Sequence, residues 1–122
     1  MTDRDPTKPA AAEILDDLFR IIESRRGDDP KESYTAKLMA RGLDKMCEKV
    51  GEEAFEVVVA ALRQGPGRVA EESADLLYHL LVLWAETGVE PKDVWAALEE
   101  RRGTSGLKEK KSRKKKKAKG ND

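Results

Sequence analysis

Two stretches, Leu43 to Arg63 and Pro66 to Thr87, repeat apolar residues at helical spacing and are separated only by the turn signal Gly65-Pro66-Gly67. Pro66 suits the first turn of the second helix, where its missing N–H is not needed. In the first stretch Phe55, Val57, Val58, Val59, Ala60, Ala61 and Leu62 leave almost no polar side, and Leu76, Leu77, Leu80, Leu81, Val82, Leu83 and Trp84 do the same in the second. Helices apolar all round are central helices. A chain of 122 residues has too little structure to cover two of them alone, so a second copy is expected to complete the core. The β-branched run Val57 to Val59 is too short to be a strand, and no segment alternates for long. The expected class is all-α, a bundle of four to five helices completed by homo-oligomerisation as a homodimer or larger assembly.

Upstream, Ile14, Leu15, Leu18, Phe19, Ile21 and Ile22 trace one stripe of an amphipathic helix from residue 10 to about 26. Gly27 and Pro30 end it. Ser33 is placed to cap a short helix that starts at Tyr34 and reaches Ala40 or Arg41, where Gly42 interrupts the pattern. A last helix is expected from about Pro91 to Arg102. Residues 1–9, with two prolines and mixed charge, read as a disordered lead-in, 10–102 as the all-α domain, and 103–122 as a basic, disordered tail.

Charge is segregated along the chain. The tail holds nine Lys/Arg against two Asp/Glu, while residues 1–102 hold fifteen against twenty-two, so a zero net charge hides a −7 body and a +7 tail. An acidic body argues against a specific nucleic-acid binder, which needs Lys/Arg on phosphates; weak RNA contact is left to the tail. Cys47 is the single cysteine, which rules out an intrachain disulfide and a Cys-x-x-Cys zinc pair and fits a reducing compartment. With no signal-like segment and no long apolar span, the expectation is a cytoplasmic protein with no membrane partner.

Against this pattern, the mouth of the first apolar helix carries Glu52, Glu53 and Glu56. At about 100° per residue they fall within one arc of about 100°. Glu71, Glu72 and Asp75 repeat the three- and four-residue steps on the second helix. An antiparallel hairpin brings the two acidic faces together, as helical bundles do when they build metal sites. Single acids on helices are ordinarily solvated surface. Here like charges at i,i+4 oppose each helix by roughly 0.2–0.5 kcal/mol per pair, and their faces continue into Val59 and Ala60 or into Tyr78, His79 and Val82. Burying such carboxylates requires a compensating cation. All-oxygen ligation suits Mg²⁺ or Mn²⁺, and Mg²⁺ in such a cleft ordinarily meets a di- or triphosphate, a nucleotide for instance. Lys37, Lys45 and Lys49 lie just upstream, placed for phosphate oxygens that a metal leaves uncovered; a plain Lys49–Glu53 ion pair is the competing role for Lys49.

Glu53-Ala-Phe-Glu56, a fifteen-residue gap and Glu72-Ser-Ala-Asp75 resemble the signature of the MazG-like all-α nucleotide pyrophosphohydrolases. Within them, SYTAKLMARGLDKMCEKVGEEAFEVVVAA, EESADLLYHLLVL and the closing RRGTSGL resemble the phosphoribosyl-ATP pyrophosphohydrolase family. The resemblance implies Mg²⁺-dependent hydrolysis of the α–β phosphoanhydride of phosphoribosyl-ATP in histidine biosynthesis. It implies Glu53, Glu56, Glu72 and Asp75 as metal ligands, Glu52 as a fifth ligand or water-orienting base, and Lys37 and Lys49 as phosphate contacts. The lysine-rich end, KEKKSRKKKKAKGND, has no part in that chemistry.

Two other functions fit parts of the pattern: a house-cleaning (d)NTP pyrophosphatase of the same architecture, and a helical scaffold with surface acids and an RNA-contacting tail. No Gly-x-x-x-x-Gly-Lys-Ser/Thr loop is present, which excludes a P-loop mechanism. His79 is expected as a hydrogen-bonded core residue, Cys47 as a small packing residue, and Trp84 and Trp95 as core or subunit contacts. Ser33, Tyr34 and Thr35 either cap their helix or line the substrate cleft, with capping the expected role of Ser33.

Overall fold

The computed structural model describes residues 12–102. The lead-in at 1–9 and the basic tail at 103–122 lie outside the described residues. Five helices follow in order: α1 Glu13–Ser24, α2 Tyr34–Arg41, α3 Leu43–Arg63, α4 Pro66–Thr87 and α5 Pro91–Arg101. Among the described residues there is no strand, as the patterning requires. The chain divides into two compact units, one reaching Pro91 and one beginning at Lys92. The second unit contributes nearly all of α5, in which Trp95 is half-buried, Leu98 is exposed and Arg102 pairs with Glu99 at 3.0 Å.

The helix boundaries have local causes. Ser33 is buried in an extended conformation and its Oγ accepts the Ala36 N–H at 3.1 Å, satisfying a first-turn donor of α2. Gly42 and Gly65 have φ of 94° and 106° with ψ near 175°, a region open essentially to glycine alone, so each breaks its helix sharply while the next begins at once. Pro66 occupies the first turn of α4, and Gly88 ends that helix in the left-handed conformation.

In the first unit, α3 packs chiefly on α4, α1 lies on α4, and α2 contacts α3 and, less extensively, α4. The core gathers Phe19 and Ile22 from α1, Leu38 from α2, Met46 from α3, and Leu81, Val82 and Ala85 from α4. Trp84 packs against this cluster, in keeping with its expected core role. Arg26 fastens the end of α1 to the end of α4, donating to the Ala85 carbonyl at 3.1 Å and pairing with Glu86 at 3.3 Å.

Every one of these core positions lies toward the end of the α3–α4 hairpin away from Gly65. Within one chain α4 is central at its C-terminal half, whereas on α3 only Met46 and Ala60 are buried and Phe55 is 65 %, Val58 51 % and Leu62 75 % exposed. The helices α1 and α2 cover one end of the hairpin and leave apolar side chains bare toward the other. Ile14, expected in the buried stripe of α1, is also exposed. Cys47 follows Met46 on α3 and is turned out to solvent, so it is not the packing residue its type suggests.

Candidate active site

Glu53 lies twelve residues before Gly65 and Asp75 ten after it, so an antiparallel hairpin folded at that glycine sets them at nearly the same height. The structure brings together Glu53, Glu72 and Asp75: one carboxylate oxygen from each lies within 4.8 Å of the others. Glu53 is half-buried, Glu72 buried and Asp75 exposed, so the trio spans the rim of the helix–helix seam. Opposite ligands of an octahedral Mg²⁺ stand about 4 Å apart. The three oxygens would have to draw closer to share such an ion, and their purely oxygen donor set fits a hard cation. Glu56, one turn beyond Glu53, is exposed and falls outside the trio.

Glu52 is engaged elsewhere. Lys49 Nζ donates to its Oε1 at 3.2 Å, which holds the Glu52 carboxyl below its ordinary range and the Lys49 ammonium above its own. The i,i+4 alternative, Lys49 with Glu53, is not the one adopted, and Glu53 is left to the trio. A residue that sequence reasoning passed over, Arg68, bonds both Glu71 and the buried Glu72 through separate guanidinium nitrogens. Those bonds, Glu71 first, raise the arginine's pKa. Its signal was legible as a cation three and four residues before two acids on one helix. Arg68 supplies a counter-charge to the buried Glu72.

On the opposite flank an aromatic cluster steadies the site. His79 is buried, and its Nδ1 lies 2.8 Å from the Asp75 carbonyl oxygen, which can only accept, so Nδ1 carries the proton. In the neutral ring Nε2 then accepts from the Tyr34 hydroxyl at 2.9 Å. His79 is thus the hydrogen-bonded core residue expected of it, and it links α2 to the turn of α4 that presents Asp75. The hydroxyls of Thr35 and Tyr78 share a further hydrogen bond, and the rings of Tyr34, Tyr78 and His79 contact one another. Burial of the Tyr34 hydroxyl end raises its pKa, with Lys49 pulling the other way.

Tyr34 does more than begin a helix. With Lys37 it lines two adjoining cavities, one of about 530 Å³ bounded also by Pro30, Lys31, Glu32 and Ser33, the other of about 190 Å³ bounded also by Leu38, Arg41, Lys45 and Lys49. The three lysines singled out from the sequence, Lys37, Lys45 and Lys49, therefore line a cavity, while Arg41 was not anticipated.

An α-helical hairpin that converges three carboxylates beside a basic, tyrosine-walled cleft defines an acidic-site helical protein of the kind the motif spacing suggested. The family model for phosphoribosyl-ATP pyrophosphohydrolase matches residues 15–102, and the chain belongs to that family. Proteins named phosphoribosyl-ATP pyrophosphatase are similar to it along most of its length. The one from Paramagnetospirillum magneticum is 61 % identical over 105 residues, covering 86 % of this chain and 96 % of the relative. That from Rhodospirillum rubrum is 57 % identical over 117 residues, 94 % of this chain and 100 % of the relative, and that from Azospirillum brasilense 54 % over 104 residues, 85 % and 94 %.

Proposed function

We propose that this chain hydrolyses phosphoribosyl-ATP to phosphoribosyl-AMP and pyrophosphate in histidine biosynthesis, using Mg²⁺ or Mn²⁺ held by Glu53, Glu72 and Asp75. The observation that carries this reading is the convergence of those carboxylates across the hairpin in a member of the phosphoribosyl-ATP pyrophosphohydrolase family. Glu56, exposed one turn from Glu53, completes the ligand set by a change of rotamer. When bound, the ion offsets charge on the phosphate oxygens and polarises water for attack.

The remaining work falls to the protein. Water adds its oxygen to phosphorus, the α–β bridging P–O bond breaks, and pyrophosphate leaves; the water proton passes to a carboxylate beside the ligand set, with Glu52 the exposed candidate. Release of Glu52 from Lys49 serves both partners, since it frees the carboxylate to accept a proton and the ammonium to meet a phosphate oxygen. Lys37 approaches the same substrate from α2. The chain Tyr34–His79–Asp75 carbonyl holds α2 against the α4 turn, so the basic wall and the acidic trio keep a fixed relation.

A homodimer or larger homo-oligomer belongs to this reading, because Phe55, Val58, Leu62 and Leu77 leave an apolar face that a second copy would cover. A cytoplasmic location belongs to it too, and no helix among the described residues is long and apolar enough to cross a membrane.

The direct test is incubation with phosphoribosyl-ATP and, separately, with a panel of dNTPs, each with and without Mg²⁺. The expected result is one pyrophosphate per phosphoribosyl-ATP and its loss with EDTA. Preference for dNTPs would instead indicate a house-cleaning pyrophosphatase with the same site. A scaffold whose lysine tail binds RNA would show neither activity, and its acids would be expected to face bulk water, whereas Glu72 is buried.

A further inference from the structure

The smaller cavity concentrates positive charge in a way the metal chemistry does not require. Its wall holds Lys37, Arg41, Lys45 and Lys49 together with Tyr34 and Leu38, four cations and no carboxylate. They come in two pairs spaced four residues apart, Lys37 and Arg41 on α2 and Lys45 and Lys49 on α3, so each pair shares a helix face. Like charges at that spacing oppose helix formation. Gly42 alone joins the two helices and sets both pairs around one pocket. Lys45 is partnered by Glu48 and Lys49 by Glu52, each at 3.2 Å, whereas Lys37 and Arg41 make no ion pair among the described residues. No side chain caps α3, whose positive end adds to the field there.

Position separates the Lys45 end of this wall from the trio. Lys45 lies eight residues before Glu53 on the same helix, about 12 Å along the axis at 1.5 Å per residue. One phosphate group does not span that interval. The Tyr34 ring lines the pocket, half exposed and anchored by its hydroxyl to His79, four residues after Asp75 on α4. A flat, fixed aromatic surface near both an acidic site and a basic pocket whose Lys37 and Arg41 carry no ion pair among the described residues matches a purine that carries phosphate at both ends. Phosphoribosyl-ATP is such a molecule, with a triphosphate on one ribose and a single 5′-phosphate on the other.

We infer that Lys37, Arg41 and Lys45 form a phosphate-monoester subsite for the 5′-phosphate of the phosphoribosyl group, and that this subsite selects phosphoribosyl-ATP over ATP. The inference rests on the hydrolase reading above and adds to it the residues that recognise the remote end of the substrate. Arg41 is the principal contact, because its planar fork suits phosphate oxygens and no carboxylate competes for it.

The test compares wild-type protein with Arg41→Gln, Arg41→Lys and Lys45→Gln, following pyrophosphate release from phosphoribosyl-ATP and inhibition by ribose 5-phosphate and by pyrophosphate. Loss of one charged phosphate contact raises KM for phosphoribosyl-ATP on the order of tenfold to a hundredfold in Arg41→Gln, with kcat within about twofold. Ribose 5-phosphate competes in the wild type and loses potency in that variant, Arg41→Lys recovers part of the affinity, and inhibition by pyrophosphate is unchanged throughout. Lys45→Gln gives a smaller shift in the same direction from the other helix, and thermal unfolding checks that each variant folds. Unchanged KM in both glutamine variants, or weakened pyrophosphate inhibition with ribose 5-phosphate unaffected, would overturn the inference by removing the pocket from the substrate or giving it to the triphosphate end. A wild-type protein that releases no pyrophosphate from phosphoribosyl-ATP would defeat the hydrolase reading itself, a result distinct from either.

Discussion

Glu72 is a carboxylate kept at 7 % exposure by the helix seam and balanced by Arg68, which it shares with Glu71. The arginine is half exposed, so solvent partly screens the pair. Arg68→Gln removes the counter-charge and leaves the buried carboxylate to be balanced by a bound cation. The variant is expected to unfold at lower temperature without metal and to be stabilised by Mg²⁺ more than the wild type is, which differential scanning fluorimetry with and without Mg²⁺ measures. An equal Mg²⁺ increment in both proteins would show that the ion does not sit at Glu72. Asp75→Asn removes a proposed ligand outright. Because even outer partners of metal ligands are worth about 10–100-fold, turnover should fall by about a hundredfold or more, with the fold retained by circular dichroism. The acids of this site were readable because their three- and four-residue steps share a face. Arg41 was passed over because its importance comes from what lies beside it in space, and Arg68, though three and four residues before two acids, because the sequence does not say that Glu72 is buried.

Among the elements, the α3–α4 hairpin sets the site, and its making was visible in the chain: two apolar helical runs, a glycine break and a proline in the first turn. Ser33 shows how closely local chemistry was written there, since its cap was expected from position and is present in the structure. Ser33→Ala should destabilise the protein by about 1 kcal/mol through α2. Gly42→Ala should cost about 1–3 kcal/mol for a different reason: an added Cβ meets nothing within 4 Å, yet the backbone conformation excludes it. Urea denaturation measures both, and a neutral Gly42→Ala would mean that α2 and α3 can join without that conformation. Burial on α3 was not legible in the same way. Phe55, Val58 and Leu62 read as core that a second copy completes, and which of the apolar positions the chain buries by itself depends on where α1 and α2 settle.

At the scale of the whole molecule, the bare apolar face and the basic wall next to an acidic trio act together. The proposed homo-oligomer predicts that replacing Leu62 by Glu shifts it toward monomer in light scattering, as the charge would be buried against a second copy; an unchanged mass would remove that face from the proposed interface. The pH dependence has a definite sign. Tyr34 and Lys49 are raised above their ordinary 10.0 and 10.5, so their stabilisation is fully present below those values and lost as pH rises through the raised ones. Glu52 is lowered below 4.5, so its part is present above that value and lost as pH falls through the lowered one. Stability should therefore decline on the alkaline side more steeply in the wild type than in Tyr34→Phe, which chemical denaturation between pH 9 and 11, about one unit either side of a tyrosine's ordinary value, would reveal.

The account stands on carboxylates of two helices acting on one substrate through a shared ion. Its most direct test is pyrophosphate release from phosphoribosyl-ATP as Mg²⁺ is titrated into metal-stripped protein, wild type beside Asp75→Asn. The account predicts turnover that rises from zero to saturation with Mg²⁺ in the wild type and stays near background in the variant. Full turnover in the stripped protein, or undiminished turnover in Asp75→Asn, would contradict it.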